Sequence, residues 1–148
     1  MIMDFVRAWN KNERRLKEYL ETHKQGEYCM NYKELVKLLF DMVINPYVFD
    51  YGFSFSTENI IVINDDGREG TMIFILPNCC DYSSPSDYVF TSVYYGSCPI
   101  CDVLQCIHNY EYEEIPSKYQ VWDYMQLCLH LLQHCHYMKG YYEVLKYE

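Results

Sequence analysis

No apolar run in this chain approaches the length of a membrane span, which points away from a helical membrane protein. No secretory leader is expected at its start, because Asp4 and Arg7 charge the first residues. Basic residues are scarce: 12 Lys and Arg stand against 21 Asp and Glu, a net charge of −9. Direct nucleic-acid binding needs the opposite balance to displace counterions, so that class is set aside. Internal repeats, low-complexity runs and linkers are missing, and 148 residues fit one domain, residues 1–148. No glycine-rich phosphate loop is present. The turn from Asn64 to Gly70 has acids and glycines without calcium-loop spacing.

Against these absences stand eight cysteines and 17 tyrosines. Without a leader, the cysteines are expected as free or metal-bound thiols in a reducing cytoplasm, not as a disulfide framework. Tyrosine combines apolar area with a polar tip, which suits either the edge of a core or a binding surface. Half of the residues are hydrophobic, enough for a full core. The acidic balance fits a protein that docks on a basic surface. Lys11, Arg14, Arg15, Lys17 and Lys24 crowd the N-terminal segment, which reads as one solvated helix face.

Phe5, Trp9, Leu16 and Leu20 recur at helical spacing and predict a helix over residues 4–24, with Asn12 and Glu13 as a wetter interruption. Asn31 with Glu34 resembles a capping box, and Leu35 to Val43 form the face of a second helix, stopped by Asn45-Pro46. The two form a helical hairpin. Phe49, Tyr51, Phe53 and Phe55 alternate as a strand does. Ile60–Ile63, Thr71–Leu76 and Tyr88–Tyr95 follow with short connections. They predict a small antiparallel sheet of three to four strands. Ser97 is a candidate cap for a helix beginning near Cys98. Val121, Met125, Cys128, Leu132 and Cys135 predict a final helix from Ser117, with Gly140 beyond it. The class is α+β, with the two C-terminal helices packed on one face of the sheet.

The stretch Tyr94–Gln105 holds the only C-x-x-C, Cys98-Pro99-Ile100-Cys101, where strand gives way to helix. Three chemistries use such a pair. A thiol at a helix start has its pKa lowered and can exchange disulfides. The motif is similar to the C-P-x-C of glutaredoxin-type proteins over those four residues, although here it follows an antiparallel meander. A zinc site would take Cys98 and Cys101 as half of a tetrahedron. His108 and the group Cys128, His130, His134, Cys135 and His136 offer the rest. His130 and His134, one turn apart, are the pair that helical geometry favours. A nucleophilic arrangement would pair Cys98 with His130 as base and Asp102 or Gln133 as orienter. The plain alternative is small cysteines packing as hydrophobes beside surface histidines. Cys79-Cys80 reads as two ordinary thiols. Separately, Tyr110, Glu111, Tyr112, Glu113 and Glu114 make an acidic aromatic run able to engage a basic groove, or simply an exposed loop before Pro116.

The residues Tyr95-Gly96-Ser97-Cys98-x-x-Cys101-Asp102-x-Leu104-Gln105, with Leu129-His130-Leu131-Leu132-Gln133, resemble a family of small uncharacterised phage and prophage proteins. The resemblance covers mainly the C-terminal third, with weaker similarity around Gly70–Leu76. It implies one cluster of Cys98, Cys101, Asp102, Gln105, His130 and Gln133, able to lock the last helices to the sheet as a polar network. It also implies a setting in which small acidic proteins bind a host protein stoichiometrically, in the host cytoplasm, including host defence enzymes such as CRISPR effectors. The expectation is therefore a non-enzymatic binding protein for a basic host surface, without membrane or direct nucleic-acid contact. The alternatives are thiol-redox or zinc chemistry at Cys98 and Cys101, and a self-assembling structural protein that forms homo-oligomers.

Overall fold

The computed structural model describes residues 2–47, 54–79 and 87–138. In chain order come helix α1 (Ile2–Thr22), a 3-10 turn (Gln25–Glu27) and helix α2 (Tyr32–Leu39), continued by a π-helical turn (Phe40–Ile44). Strands β1 (Ile61–Ile63), β2 (Gly70–Pro77) and β3 (Tyr88–Tyr95) follow, then helices α3 (Val103–His108) and α4 (Lys118–Gln133), and strand β4 (His136–Met138). The fold is α+β. The strands form one antiparallel sheet in the order β1-β2-β3-β4.

The expected starts of α2 and α4 are in place. Asn31 accepts the Glu34 N–H at 2.9 Å, and Ser117 forms a reciprocal box with Gln120. Phe5, Ala8, Leu16 and Leu20 of α1 are buried as the spacing requires. Asn12 differs from its expectation: it is buried, and its Nδ2 donates to the Val43 carbonyl at 2.9 Å. Carbonyls in a last helical turn have no partner within the helix, so a polar residue on α1 serves that end. The π-helical turn ends at Asn45. Its side chain pairs both ways with the Phe55 backbone, each bond 2.9 Å. The expected strand positions Phe49, Tyr51 and Phe53 lie outside the described residues, as do Cys80 and Gly140. Phe55 forms a single bridge to Asn78.

Between β1 and β2, Asp66 sits at φ 55° and its N–H donates to Asn64 Oδ1 at 2.8 Å. Gly70 has φ 159°, and the Asp65 carboxylate occupies the space a Cβ would need. The strand register sorts the sheet into two faces, since directly paired residues share a face. On the inner face Val62, Phe74 and Thr91 form one row, and Leu76, Val89 and Tyr137 another. Helix α4 lies against this face, where the buried Thr91 hydroxyl donates to the Leu131 carbonyl at 2.6 Å. Its seam residues Val121, Cys128 and Leu132 are buried, as is Cys135 beyond its end, while Met125 is half-buried. Each such aliphatic side chain contributes about 1.5–3 kcal/mol on burial. Helices α1, α2 and α3 also contact α4, which makes it the centre of the helical layer. Strand β4, not expected from the sequence, pairs with β3 from Tyr88↔Met138 to Phe90↔His136.

Candidate functional site

Strand β3 runs directly into the C-x-x-C stretch. The helix does not start at Cys98 as expected. Residues 98–101 form a turn closed by Cys101 N–H to the Cys98 carbonyl at 3.1 Å, and Asp102, not Ser97, caps α3. Asp102 decides this because its buried carboxylate satisfies three donors. Oδ1 accepts from the Gln105 N–H and the Tyr32 hydroxyl, both at 3.0 Å, and Oδ2 accepts the Gly96 N–H at 2.9 Å. Ser97 competes for the same helix start with a single hydroxyl. Gln105 closes the loop from the other side, its Nε2 donating to the Gly96 carbonyl at 3.1 Å. The Tyr32 hydroxyl also accepts the Leu104 N–H at 3.1 Å. Burial first, and the adjacent Asp102 charge next among the influences that raise it, keep that phenol protonated far above its ordinary range.

Gly96 is needed for its lack of a side chain. A Cβ there would stand 2.6 Å from the Cys101 carbonyl oxygen and 2.7 Å from its sulfur. The loop therefore packs Cys101 onto the backbone, and the two sulfurs of Cys98 and Cys101 lie 3.2 Å apart. Hydrogen bonding from the Cys98 thiol, then from the Cys98 and Ser97 backbone, holds the Cys101 thiol below its ordinary value. The buried thiols behave oppositely: desolvation pushes Cys29 up to about 11, and Cys128 and Cys135 up to about 12.

An open groove of 710 Å³ runs between this loop and α4, lined by Cys101, Val103, Cys106, Asp123, Leu127 and His130 among others. Ile100 projects at its rim, 97% exposed. The expected six-residue cluster thus divides. Cys98, Cys101, Asp102 and Gln105 are bound into one loop, and His130 lies across the groove. Gln133 is exposed on α4, and no side-chain hydrogen bond ties it to the motif. His130 and His134 do pack together, with ring centres 4.2 Å apart and planes tilted by 54°, and His134 Nδ1 lies 2.8 Å from the His130 carbonyl. Burial, then the neighbouring His134, lowers the His130 pKa. Among the described residues, no three His, Cys, Asp or Glu side chains gather as metal ligands would. Tyr32 was the member that sequence reasoning missed, while Gly96 stood in the motif without its steric role being evident. Tyr32 carries no local signal, since it acts on a residue 70 positions away.

The acidic run is held to the fold mainly through its backbone carbonyls. The Gln25 N–H donates to the Glu114 carbonyl at 3.0 Å, Gln25 Nε2 to the Glu111 carbonyl at 3.1 Å, and the Gly26 N–H to the Tyr112 carbonyl at 2.7 Å. Tyr112 packs on His108, ring centres 4.5 Å apart, and Glu111 accepts from Gln120. The side chains of Tyr110, Glu111, Glu113 and Glu114 are exposed and Tyr112 is half-buried, with Glu113 3.5 Å from Lys24. Of the N-terminal basic residues, Arg14 and Lys17 line a 500 Å³ groove between α1 and α4, together with Glu13 and Trp122.

The outer sheet face is the other feature that departs from expectation. Antiparallel sheets with one wet face normally alternate apolar and polar residues. Here the outer rows read Ile61–Ile75–Phe90–His136, Ile63–Ile73–Ser92, Pro77–Tyr88–Met138 and Thr71–Tyr94. None is Asp, Glu, Lys or Arg, and all are half-buried or exposed. Phe90 and His136 stack at 5.0 Å. Glu69, bonded by the Tyr94 hydroxyl, stands at one end of this face, whereas the Asp65 carboxylate accepts from the Tyr95 hydroxyl on the other side of the sheet. No helix of the described residues is long and apolar enough to cross a membrane. Comparison with protein-family models, with curated proteins and with solved structures gives no match to this chain.

Proposed function

We propose that this protein acts by stoichiometric binding to another protein, through the outer face of its sheet. The observation that carries the reading is an uncharged, Ile- and aromatic-rich face on a chain of net charge −9. Patches of this kind on soluble proteins mark interaction sites. Glu69 at the end of the face and the overall charge of −9 ask for a partner that is apolar at the centre and rich in Lys or Arg at the rim, which would steer association and fix its register. Following the resemblance to small phage proteins, the partner class is a host protein, and inhibition of a host defence enzyme in the host cytoplasm is the role carried forward.

The test is affinity capture from bacterial lysate at low and raised salt, using the full chain and an Ile61→Lys/Ile63→Lys variant. Both side chains are about half exposed, 54% and 48%, so the fold should tolerate the change. The expected result is a one-to-one complex with one protein, weakened by salt and lost in the variant. Equal recovery by both forms, or no specific recovery at low salt, overturns the proposal. Light scattering decides against it in another way. A wild-type dimer that the variant breaks means that the face takes a second copy of this chain.

A further inference from the structure

We propose that Cys98 and Cys101 form an exchange-active dithiol that reduces low-molecular-weight disulfides at the groove beside α4. The pair is poised by geometry. The sulfurs already lie 3.2 Å apart, so disulfide closure needs a movement of roughly 1 Å. The turn that brings them together is closed by a backbone bond and framed by Asp102 and Gln105, none of which involves a sulfur. Oxidised and reduced forms can therefore share one backbone. The ring closed by Cys98 and Cys101 is short, so the bond would constrain the unfolded chain little. A partly exposed bridge of that kind is a labile one, not a structural staple.

The roles of the two thiols follow from placement. Cys101 lines the groove, whereas Cys98 is not among its lining residues. Cys101 is also the thiol whose thiolate is favoured by the hydrogen bonds around it. In the first step the Cys101 thiolate attacks one sulfur of the bound disulfide. A mixed disulfide forms, and the other half leaves as a thiolate. In the second step Cys98 attacks the Cys101 sulfur. The Cys98–Cys101 bond forms, the second half leaves, and the Cys98 proton passes to a departing thiolate. The substrate gains two electrons, and the dithiol loses them.

Oxidised glutathione is the probe. The reduced full chain is treated anaerobically, quenched by acid at intervals, and read by intact mass and peptide mapping. The exposed Cys106 in the same groove serves as internal reference. The expected product is a Cys98–Cys101 disulfide with no retained adduct, forming about ten-fold faster than glutathionylation of Cys106. Cys98→Ser should stop at one glutathione on Cys101, and Cys101→Ser should lose the fast phase. Circular dichroism checks that each variant folds. Oxidation of Cys106 or Cys79 ahead of the pair, or a stable wild-type adduct that never resolves, overturns the proposal. The wild-type measurement decides this even if a variant does not fold.

Discussion

At the scale of single residues, burial of a polar atom costs or stabilises according to whether it has a partner. Two tyrosines in the core make the comparison under nearly equal conditions. Tyr28 and Tyr124 are both almost fully buried, with ring centres 5.3 Å apart at 83°. The Tyr124 hydroxyl donates to Gln25 Oε1 at 2.6 Å, while the Tyr28 hydroxyl has no hydrogen-bond partner among the described residues. The same change should then have opposite consequences. Tyr124→Phe strands the buried Gln25 oxygen and should cost about 1–3 kcal/mol. Tyr28→Phe removes an unmatched hydroxyl and should be neutral or stabilising by up to about 1 kcal/mol. Urea unfolding of both variants checks this, and equal losses would mean that the Tyr28 hydroxyl has a partner after all.

Elements defined by their own termini were legible, and those defined from afar were not. Asn31 with Glu34, and Ser117 with Gln120, act within three residues, so both helix starts could be read from spacing alone. The start of α3 could not. Ser97, Pro99 and Asp102 are all good local choices, and the choice among them depends on Tyr32 and Gly96. Strand β4 is three residues long and follows α4 at once. Only its pairing with β3 defines it, and pairing leaves little trace in so short a run. The C-x-x-C was visible as a motif, but the 3.2 Å approach of its sulfurs was not. The uncharged outer face needed the strand register before its rows could be assembled.

The end of α3 carries a titration that belongs to the element. His108 is 2% exposed in its last turn, and its Nδ1 accepts the Tyr110 N–H at 3.1 Å. Burial lowers its pKa, against an opposing pull from Asp102. The groups facing the ring are thus Asp102, Tyr110 and Tyr112. A folded-state value below the unfolded one means that the unfolded chain binds more protons between the two. Stability is therefore full above about pH 6.5 and falls as the pH drops through the folded value. His130 shifts the same way, so the wild-type slope has two sources. His108→Asn keeps an acceptor for Tyr110 without the titration. Thermal melts between about pH 5.5 and about pH 7.5 should show a shallower loss in this variant. Parallel wild-type and variant slopes would place the effect elsewhere.

For the whole molecule, the question is whether helices and sheet open as one unit. Cys29, between the 3-10 turn and α2, Cys128 within α4 and Cys135 before β4 belong to a single buried cluster. They report on three parts of it. All three thiols are raised in pKa by desolvation, so the native protein protects them twice, by occlusion and by protonation. Cys79, Cys98, Cys101 and Cys106 are at least partly accessible. Alkylation at neutral pH should therefore label these four quickly and leave Cys29, Cys128 and Cys135 unlabelled. In rising urea the protected three should become reactive over one shared transition, because α4 touches the sheet and α1, α2 and α3 together. If Cys135 opened at lower urea than Cys29, the β3–β4 end would be a separate, weaker unit. The single transition is the expected outcome: Cys128 and Leu131 sit one turn apart on α4, and the Leu131 carbonyl is the acceptor that ties the helix to Thr91 of the sheet. Losing that contact exposes the cysteine and frees the strand in the same event.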